Sequence, residues 1–395
     1  MYNRIKKENV YISISTAALI FTISVCLISH GSILVGGNDT FMDFFNHITY
    51  VTNSKEVYFT TMHACFPPFS YIFYKFLNEI LPYSSTSFQN SSGTTGLAYL
   101  IYAIYLVAIF SILTVIIQLF LEEKYGKGKT LWITILLFLS YSYTAGAIER
   151  GNSALMVLLL LLLSIKMRNS DNPVFREISL ILIAFAAGFK VYPAVFGFQY
   201  IKEKRFKEAC RLFLYGCIVM FAPFSLFGGV EGLKRFVSNQ LVVQTIEKSK
   251  LSMFGILSNF IMNERFLTLA WLVIAIILLV IYCIASSPYQ DYFALSAMMI
   301  FIPKWSGTYT LIYMTIPFLL FLEDLDNHNN FLGLLQIIVL SVGMCNLCAF
   351  NYWGISAVHI HIFADYLALI LASVIIVYDY INQYRNRVSA VKHKI

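Results

Sequence analysis

The chain has 395 residues, of which 58% are hydrophobic and only 12% are charged, and its mean hydropathy is +0.71. This composition excludes an ordinary soluble domain. Apolar runs of about 20 residues, the length that crosses a hydrocarbon core of about 30 Å, recur from end to end. The net charge of +7 comes from basic residues in short loops between these runs, the positive-inside pattern, and does not indicate a nucleic-acid partner.

In chain order, the apolar runs predict an all-α polytopic membrane protein with about ten full transmembrane helices plus a broken, re-entrant helical pair. We expect a single integral membrane domain over residues 1–395, in a bacterial cytoplasmic membrane. Basic residues before the first run and after the last place both termini in the cytoplasm. The expected full spans are residues 10–30, 97–121, 130–148, 153–167, 208–228, 266–285, 290–303, 310–322, 331–350 and 359–378.

A long polar loop, residues 31–96, follows the first apolar run, and the predicted topology places it outside the cytoplasm. It carries Asp39 and Asp43, and a short helix is expected at residues 68–80. A second extracytoplasmic segment is expected at residues 229–263. Acidic side chains just beyond the membrane are the first candidates for chemistry in so apolar a chain.

Asp39 and Asp43 are four residues apart, so a helix over this stretch places both on one face. An aspartate within hydrogen-bond reach of a sugar hydroxyl serves as a general base. Asp39 equally suits the N-cap of such a helix, so we favour Asp43 as the base. His47 extends the same face and is a candidate substrate contact. Asp39 and Asp43 are of a residue type that ligates divalent metal ions, but the sequence shows no full ligand set for a metal.

The segment 178–200 has basic residues on both flanks and a break at Gly188–Pro193. We expect two half-helices, which are tolerated only where they line a cavity or are buried in protein; a single kinked span is the alternative. Lys190 lies in the break. Inserting an ammonium group at membrane depth costs about 2.5 to 3.5 kcal/mol of free energy. We therefore expect Lys190 to face a water-filled cavity or an anionic partner. The alternative is that its side chain extends to the membrane interface.

Two further outer turns hold distinctive side chains. The planar guanidinium group of Arg150 can donate two hydrogen bonds to a phosphate. Arg150 equally suits an ion pair with Glu149 or a contact with lipid headgroups. Trp305 and Tyr309 either stack on a sugar ring or belong to an interfacial aromatic belt. The remaining candidate substrate contacts are Asn152, Tyr192 and Lys304.

Glycine loops that cradle nucleotide phosphates, zinc-ligand spacings and the nucleophile elbow of serine hydrolases do not occur in the sequence. An activated donor therefore has no soluble nucleotide-binding domain to hold it. A lipid-linked donor, reached laterally from the bilayer, fits this absence.

Five short motifs carry a resemblance to a known family: DFFNHITYV (43–51), FPPFSY (66–71), ERGNSALMVLLLLLL (149–163), AAGFKVYPAVF (186–196) and PKWSGTY (303–309). In this order they resemble the polyprenyl-phosphate-dependent glycosyltransferases of the GT-C superfamily, and most of all glycosyltransferase family 87. The sequence departs from the family pattern at Asn152, where relatives often carry Gln. It also has FPPF in place of the commoner Tyr-Pro-Pro, and the outer turn PKWSGTY lacks the His that some members carry near that point. These departures affect the identity of the acceptor more than the type of reaction.

The resemblance implies an inverting transfer on the extracytoplasmic face, from a polyprenyl-phosphate sugar to a glycan or glycolipid acceptor. The family aspartate falls on Asp43 as base, while Arg150 and Lys190 would hold the donor phosphate, which gains charge as the sugar leaves. Two alternatives are an O-antigen-type polysaccharide polymerase and a lipid-linked sugar transporter or flippase. The most prominent polar loop is the first one, whereas such polymerases usually have their catalytic loops later in the chain. A transporter should show internal repeats, and the sequence has no convincing one. Both observations favour the transferase. The sequence does not specify the sugar, the linkage or the oligomeric state.

Overall fold

A computed structural model describes residues 7–30, 40–59, 64–80, 96–246, 251–328 and 331–392. Asp39 lies outside these ranges. Within them, all regular secondary structure is helical, as predicted. The α-helices are α1 (Lys7–Ile28), α2 (Met42–Tyr50), α3 (Pro68–Ile80), α4 (Gly96–Tyr125), α5 (Lys127–Phe138), α6 (Ala154–Met167), α7 (Pro173–Phe189), α8 (Phe198–Lys202), α9 (Phe206–Phe221), α10 (Gly229–Ile246), α11 (Met253–Leu257), α12 (Glu264–Ile284), α13 (Pro288–Phe301), α14 (Thr315–Glu323), α15 (Phe331–Gly343) and α16 (Ala357–Lys392).

Shorter helical segments of other geometry join several of these helices. One π-helical segment continues α5 after a bend of 48°. The others are 3-10 segments, several of which run directly into an α-helix. The π-helical segment is Ser142–Ile148, and the 3-10 segments are Val51–Phe59, Tyr192–Gly197, Ala222–Ser225, Thr308–Met314, Leu325–His328 and Cys348–Trp353.

Five helices in the described ranges are long and apolar enough to cross a membrane, and six if α5 and the π-helical segment form one bent span. The predicted count of about ten full spans is not confirmed. The reason is length: α6 has 14 residues and α15 has 13, which at about 1.5 Å per residue covers only part of a core of about 30 Å. The five helices are Glu8–Ile28, Tyr99–Tyr125, Phe206–Ser225, Glu264–Ile284 and Ala357–Asn386.

The short helix α6 lies at the centre of the bundle. Its sequence, ALMVLLLLLLSIKM, is apolar around its whole circumference, the pattern of a helix packed on every side. Most of its side chains are buried, and it packs against α7, where the Ser164 and Ser179 hydroxyl oxygens are 2.9 Å apart. Because the turn before α6 carries Arg150, burial of α6 fixes that turn relative to the core.

The predicted helix break after Gly188 is present. α7 ends at Phe189, and Lys190 adopts an extended conformation with φ −145° and ψ 134°. Pro193 lies in the first turn of the 3-10 segment that follows, where its missing N–H costs no hydrogen bond. The backbone at Lys190 is therefore non-helical, and its side chain leaves the axis of α7.

The described part of the first loop packs onto the bundle through aromatic side chains. α3 has the predicted bounds, and its Tyr71 and Tyr74 are buried together with Phe44 of α2 and Tyr58. A second group of rings, Phe224 and the neighbouring Phe227 and Phe236, closes this cluster from the side of α10. The cluster holds α2 against the turn before α6.

Candidate active site

The first turn of α2 is held by the backbone of the turn that precedes α6. The Phe41 amide donates to the Glu149 carbonyl at 2.6 Å, and the Asp43 amide donates to the Arg150 carbonyl at 3.0 Å. These bonds satisfy amides that a helix leaves without partners at its N-terminus. They also place the Asp43 side chain directly beside the Arg150 and Asn152 side chains.

Both oxygens of the Asp43 carboxylate accept hydrogen bonds from this turn. Arg150 Nη2 donates to Oδ1 at 2.8 Å, and Asn152 Nδ2 donates to Oδ2 at 2.6 Å. Asn152 is itself oriented, since its Oδ1 accepts from the Ala154 amide at 3.0 Å. Each carboxylate oxygen has two acceptor positions, and the Asp43 side chain is 16% exposed. The carboxylate is thus oriented, and its two oxygens have acceptor positions beyond these two hydrogen bonds.

The position between Arg150 and Asn152 requires glycine. Gly151 has φ +67°, and a Cβ atom there would lie 2.9 Å from the Cβ of Phe44 and 3.0 Å from the Phe41 carbonyl oxygen. The left-handed conformation strains other residues, and here the space is also filled by α2. The close approach of α2 to the turn, and hence the Asp43 contacts, depends on this glycine.

We expect Gly151→Ala to destabilise the protein by about 1–3 kcal/mol and to lower activity, because α2 and the turn must separate. Thermal unfolding in detergent and catalytic activity would be measured together. Gly354→Ala is the matched control: Gly354 has φ +74°, and a Cβ atom there would meet nothing within 4 Å, so it reports backbone strain alone. Equal activity in both variants would show that the packing at Gly151 does not position Asp43.

Lys190 is buried, with 5% of its surface exposed. Its Nζ lies 3.5 Å from the centroid of the Phe66 ring and 5.0 Å from that of Tyr309. Within the described ranges, its ammonium group makes no hydrogen bond or ion pair. Burial lowers the pKa of Lys190 to about 8, while Asp43 raises this pKa and Arg150 lowers it. The three side chains are therefore electrostatic neighbours.

Lys190 opens onto a cavity of about 440 Å³, within the usual size of a small-molecule site. Its wall contains two lysines and no carboxylate, so it suits an anionic ligand. Five predicted site residues line it: Lys190, Tyr192, Lys304, Trp305 and Tyr309. The rest of the wall is Cys65, Phe66, Pro67, Val191, Phe236, Gln240 and Pro303.

If Lys190 binds a donor phosphate, as the family resemblance implies, its pKa predicts a pH dependence of donor use. Below pH 8 the ammonium is charged and can bind a phosphate; as the pH rises through about 8 it loses its proton. We expect kcat/KM for the donor to fall above pH 8, because this ratio reports groups of the free enzyme. In Lys190→Arg, whose guanidinium stays charged, the fall should move to higher pH. An unchanged alkaline limit in this variant would assign the titration to another group.

The remaining predicted site residues occupy two other places. Asp43, Arg150 and Asn152 form the hydrogen-bonded cluster, in which Arg150 pairs with Asp43 while Glu149 accepts from the Thr40 hydroxyl at 3.1 Å. His47 is buried rather than lining the cavity; its ring is 3.9 Å from that of Phe66, centroid to centroid. Asp39 lies outside the described residues, so its predicted role stays a prediction.

Several cavity residues were not candidates from the sequence. Phe66 and Pro67 stood out only as part of FPPF, to which we assign a structural role in shaping the loop, and Phe236 and Gln240 of α10 carry no motif. Gln240 reaches the site through a hydrogen bond from its amide to the Cys65 carbonyl. Across the described ranges, no three histidine, cysteine, aspartate or glutamate side chains lie together as metal ligands.

The described residues form an all-helical integral membrane protein with a basic cavity and a carboxylate oriented by Arg150 and Asn152. The model of glycosyltransferase family 87 matches residues 65–303, more than half of the chain. The chain therefore belongs to glycosyltransferase family 87, and the predicted enzyme class, a glycosyltransferase, is confirmed. Comparison with curated proteins and with solved structures gave no match. The matched range contains Arg150, Asn152, Lys190 and Tyr192.

Proposed function

We propose that this glycosyltransferase moves a sugar from a polyprenyl-phosphate donor to a hydroxyl group of a glycan or glycolipid, on the extracytoplasmic face. The observation that carries the proposal is the hydrogen-bonded cluster of Asp43, Arg150 and Asn152 beside the buried Lys190. It combines a proton acceptor with two cations, the groups that displacement of a phosphate by an alcohol requires.

In the proposed step, Asp43 accepts the proton of the acceptor hydroxyl while the hydroxyl oxygen forms a bond to the anomeric carbon. The bond from that carbon to the phosphate oxygen breaks, and its electron pair leaves with the lipid phosphate. Lys190 and Arg150 balance the charge that develops there. A single displacement of this kind inverts the anomeric configuration. Arg150 and Asn152 also keep the Asp43 carboxylate turned toward the acceptor.

An apolar cleft next to the cavity supports a lipid-linked donor. It has a volume of about 320 Å³ and lies between α7 and α9, and Val191 contributes to both the cleft and the cavity. α9 belongs to a candidate membrane span, so the cleft opens where acyl or prenyl chains are available. A lipid-linked donor would occupy both: its phosphate would bind Lys190 in the cavity, and its lipid chain would lie in the cleft.

The test is to incubate the purified protein with a panel of polyprenyl-phosphate sugars and candidate acceptors, and to follow release of the lipid phosphate. We expect release from one or a few sugars, dependent on acceptor. Turnover of soluble nucleotide sugars in place of the lipid-linked ones would contradict the proposal for the donor. Retention of the anomeric configuration in the product would contradict the single displacement.

A further inference from the structure

The ring of Phe66 contacts two nitrogen-containing side chains. Lys190 Nζ is 3.5 Å from the ring centroid, and the His47 ring centroid is 3.9 Å from it at an interplanar angle of 33°. Phe66 therefore lies against both an ammonium group and an imidazole.

The backbone on both sides of Phe66 is fixed, so the ring cannot easily move away from Lys190. The Phe66 carbonyl accepts from the Tyr58 hydroxyl at 3.0 Å, and the preceding Cys65 carbonyl accepts from Gln240. Pro67 and Pro68 restrict the chain that follows. His47, which packs against Phe66, is itself held by Tyr74, whose ring centroid lies 5.0 Å from that of the imidazole.

Of the two groups that contact Phe66, only the Lys190 ammonium is a cation. Burial and the nearby Lys190 both lower the pKa of His47 well below its ordinary value, so the imidazole is neutral at physiological pH. A neutral imidazole does not compete as a second cation, so the negatively polarised π face of Phe66 can act on the ammonium. The titratable and charged groups around Lys190 are Asp43, His47, Cys65, Arg150 and Tyr309.

We propose that Phe66 is a positioning residue for Lys190: its π face holds the buried ammonium charged and directed into the cavity until the donor phosphate binds it. This inference rests on the proposed function. It assigns FPPF a role beyond shaping the loop. In the described part of the chain, no carboxylate lies within hydrogen-bond distance of the Lys190 ammonium, and the Phe66 ring is its partner instead. Phe66 would set donor affinity and the alkaline limit of activity without touching the reacting atoms.

The test compares Phe66→Leu with Phe66→Tyr, which keeps the π face. For Phe66→Leu we expect the Kd for polyprenyl phosphate and the donor KM to rise about 3- to 30-fold. The alkaline limit should fall by about 0.5 to 1 pH unit, because the charged form loses a stabilising contact. Phe66→Tyr should stay near wild type. Phe69→Leu is the control, since that ring packs on aromatic neighbours such as Phe185, at 4.7 Å.

Fluorinated phenylalanines at position 66 give a second test, which also serves if Phe66→Leu does not fold. Fluorine withdraws charge from the ring face at nearly constant shape, so each added fluorine should weaken polyprenyl phosphate binding further. An unchanged Kd and alkaline limit across this series would overturn the role of Phe66 and leave the transferase proposal intact. Failure of the wild type to bind polyprenyl phosphate at all would instead overturn the proposed donor.

Discussion

Asp43→Asn should lower the rate of sugar transfer by about 10²- to 10⁴-fold, the usual contribution of a general base. The amide is nearly isosteric with the carboxylate and can still accept from Arg150, but it cannot take the acceptor proton. Donor binding should change far less than turnover. The measurement is release of lipid phosphate by purified protein, with donor affinity determined separately.

Asp326→Asn is the matched control for this substitution. Asp326 lies far from the site along the chain, with 85% of its side chain exposed, in a surface ion pair with Lys124 at 3.1 Å. Such pairs contribute little to stability, so this variant should behave as wild type. Normal turnover by Asp43→Asn would show that Asp43 is not the base, and Asp39 would then be the remaining candidate.

Lys190→Ala should raise the donor KM by about 10- to 100-fold, because a buried charged hydrogen bond to phosphate is lost. The KM for the acceptor should change little, since the proposed role of Lys190 is confined to the lipid phosphate. Initial rates with each substrate varied in turn separate the two effects. Lys234→Ala, which removes a lysine whose side chain is 70% exposed, controls for the loss of a positive charge on the protein.

Equal losses for donor and acceptor in Lys190→Ala would argue against a phosphate role. Such a result would fit a lysine that supports the cavity as a whole through its contacts with Phe66 and Tyr309.

The sequence predicted local features of the fold well because they depend on nearby residues. Two prolines start α3 at Pro68, and Gly188 to Pro193 interrupt the helix at Lys190. Hydropathy was a poorer guide to complete spans. Apolar runs such as the one that ends in Ser142–Ile148 contain π-helical or 3-10 segments, and composition does not reveal where the helical geometry changes.

The contacts of the candidate site depend on tertiary packing that spacing cannot show. Asp43 and Arg150 are 107 residues apart, and their contact requires the left-handed turn at Gly151. His47 was expected on the same helix face as Asp43, yet the rings of α3 and Phe66 bury it. A phenylalanine as the neighbour of a buried lysine has no sequence signature, because phenylalanine is abundant throughout this chain.

The most direct measurement is an experimental structure of the protein with a non-transferable phosphonate analogue of a polyprenyl-phosphate sugar. We predict that the phosphonate lies within hydrogen-bond distance of Lys190 and Arg150, with the sugar beside Asp43 and the lipid chain between α7 and α9. A phosphonate bound away from both cations, or a sugar out of reach of the Asp43 carboxylate, would contradict the account.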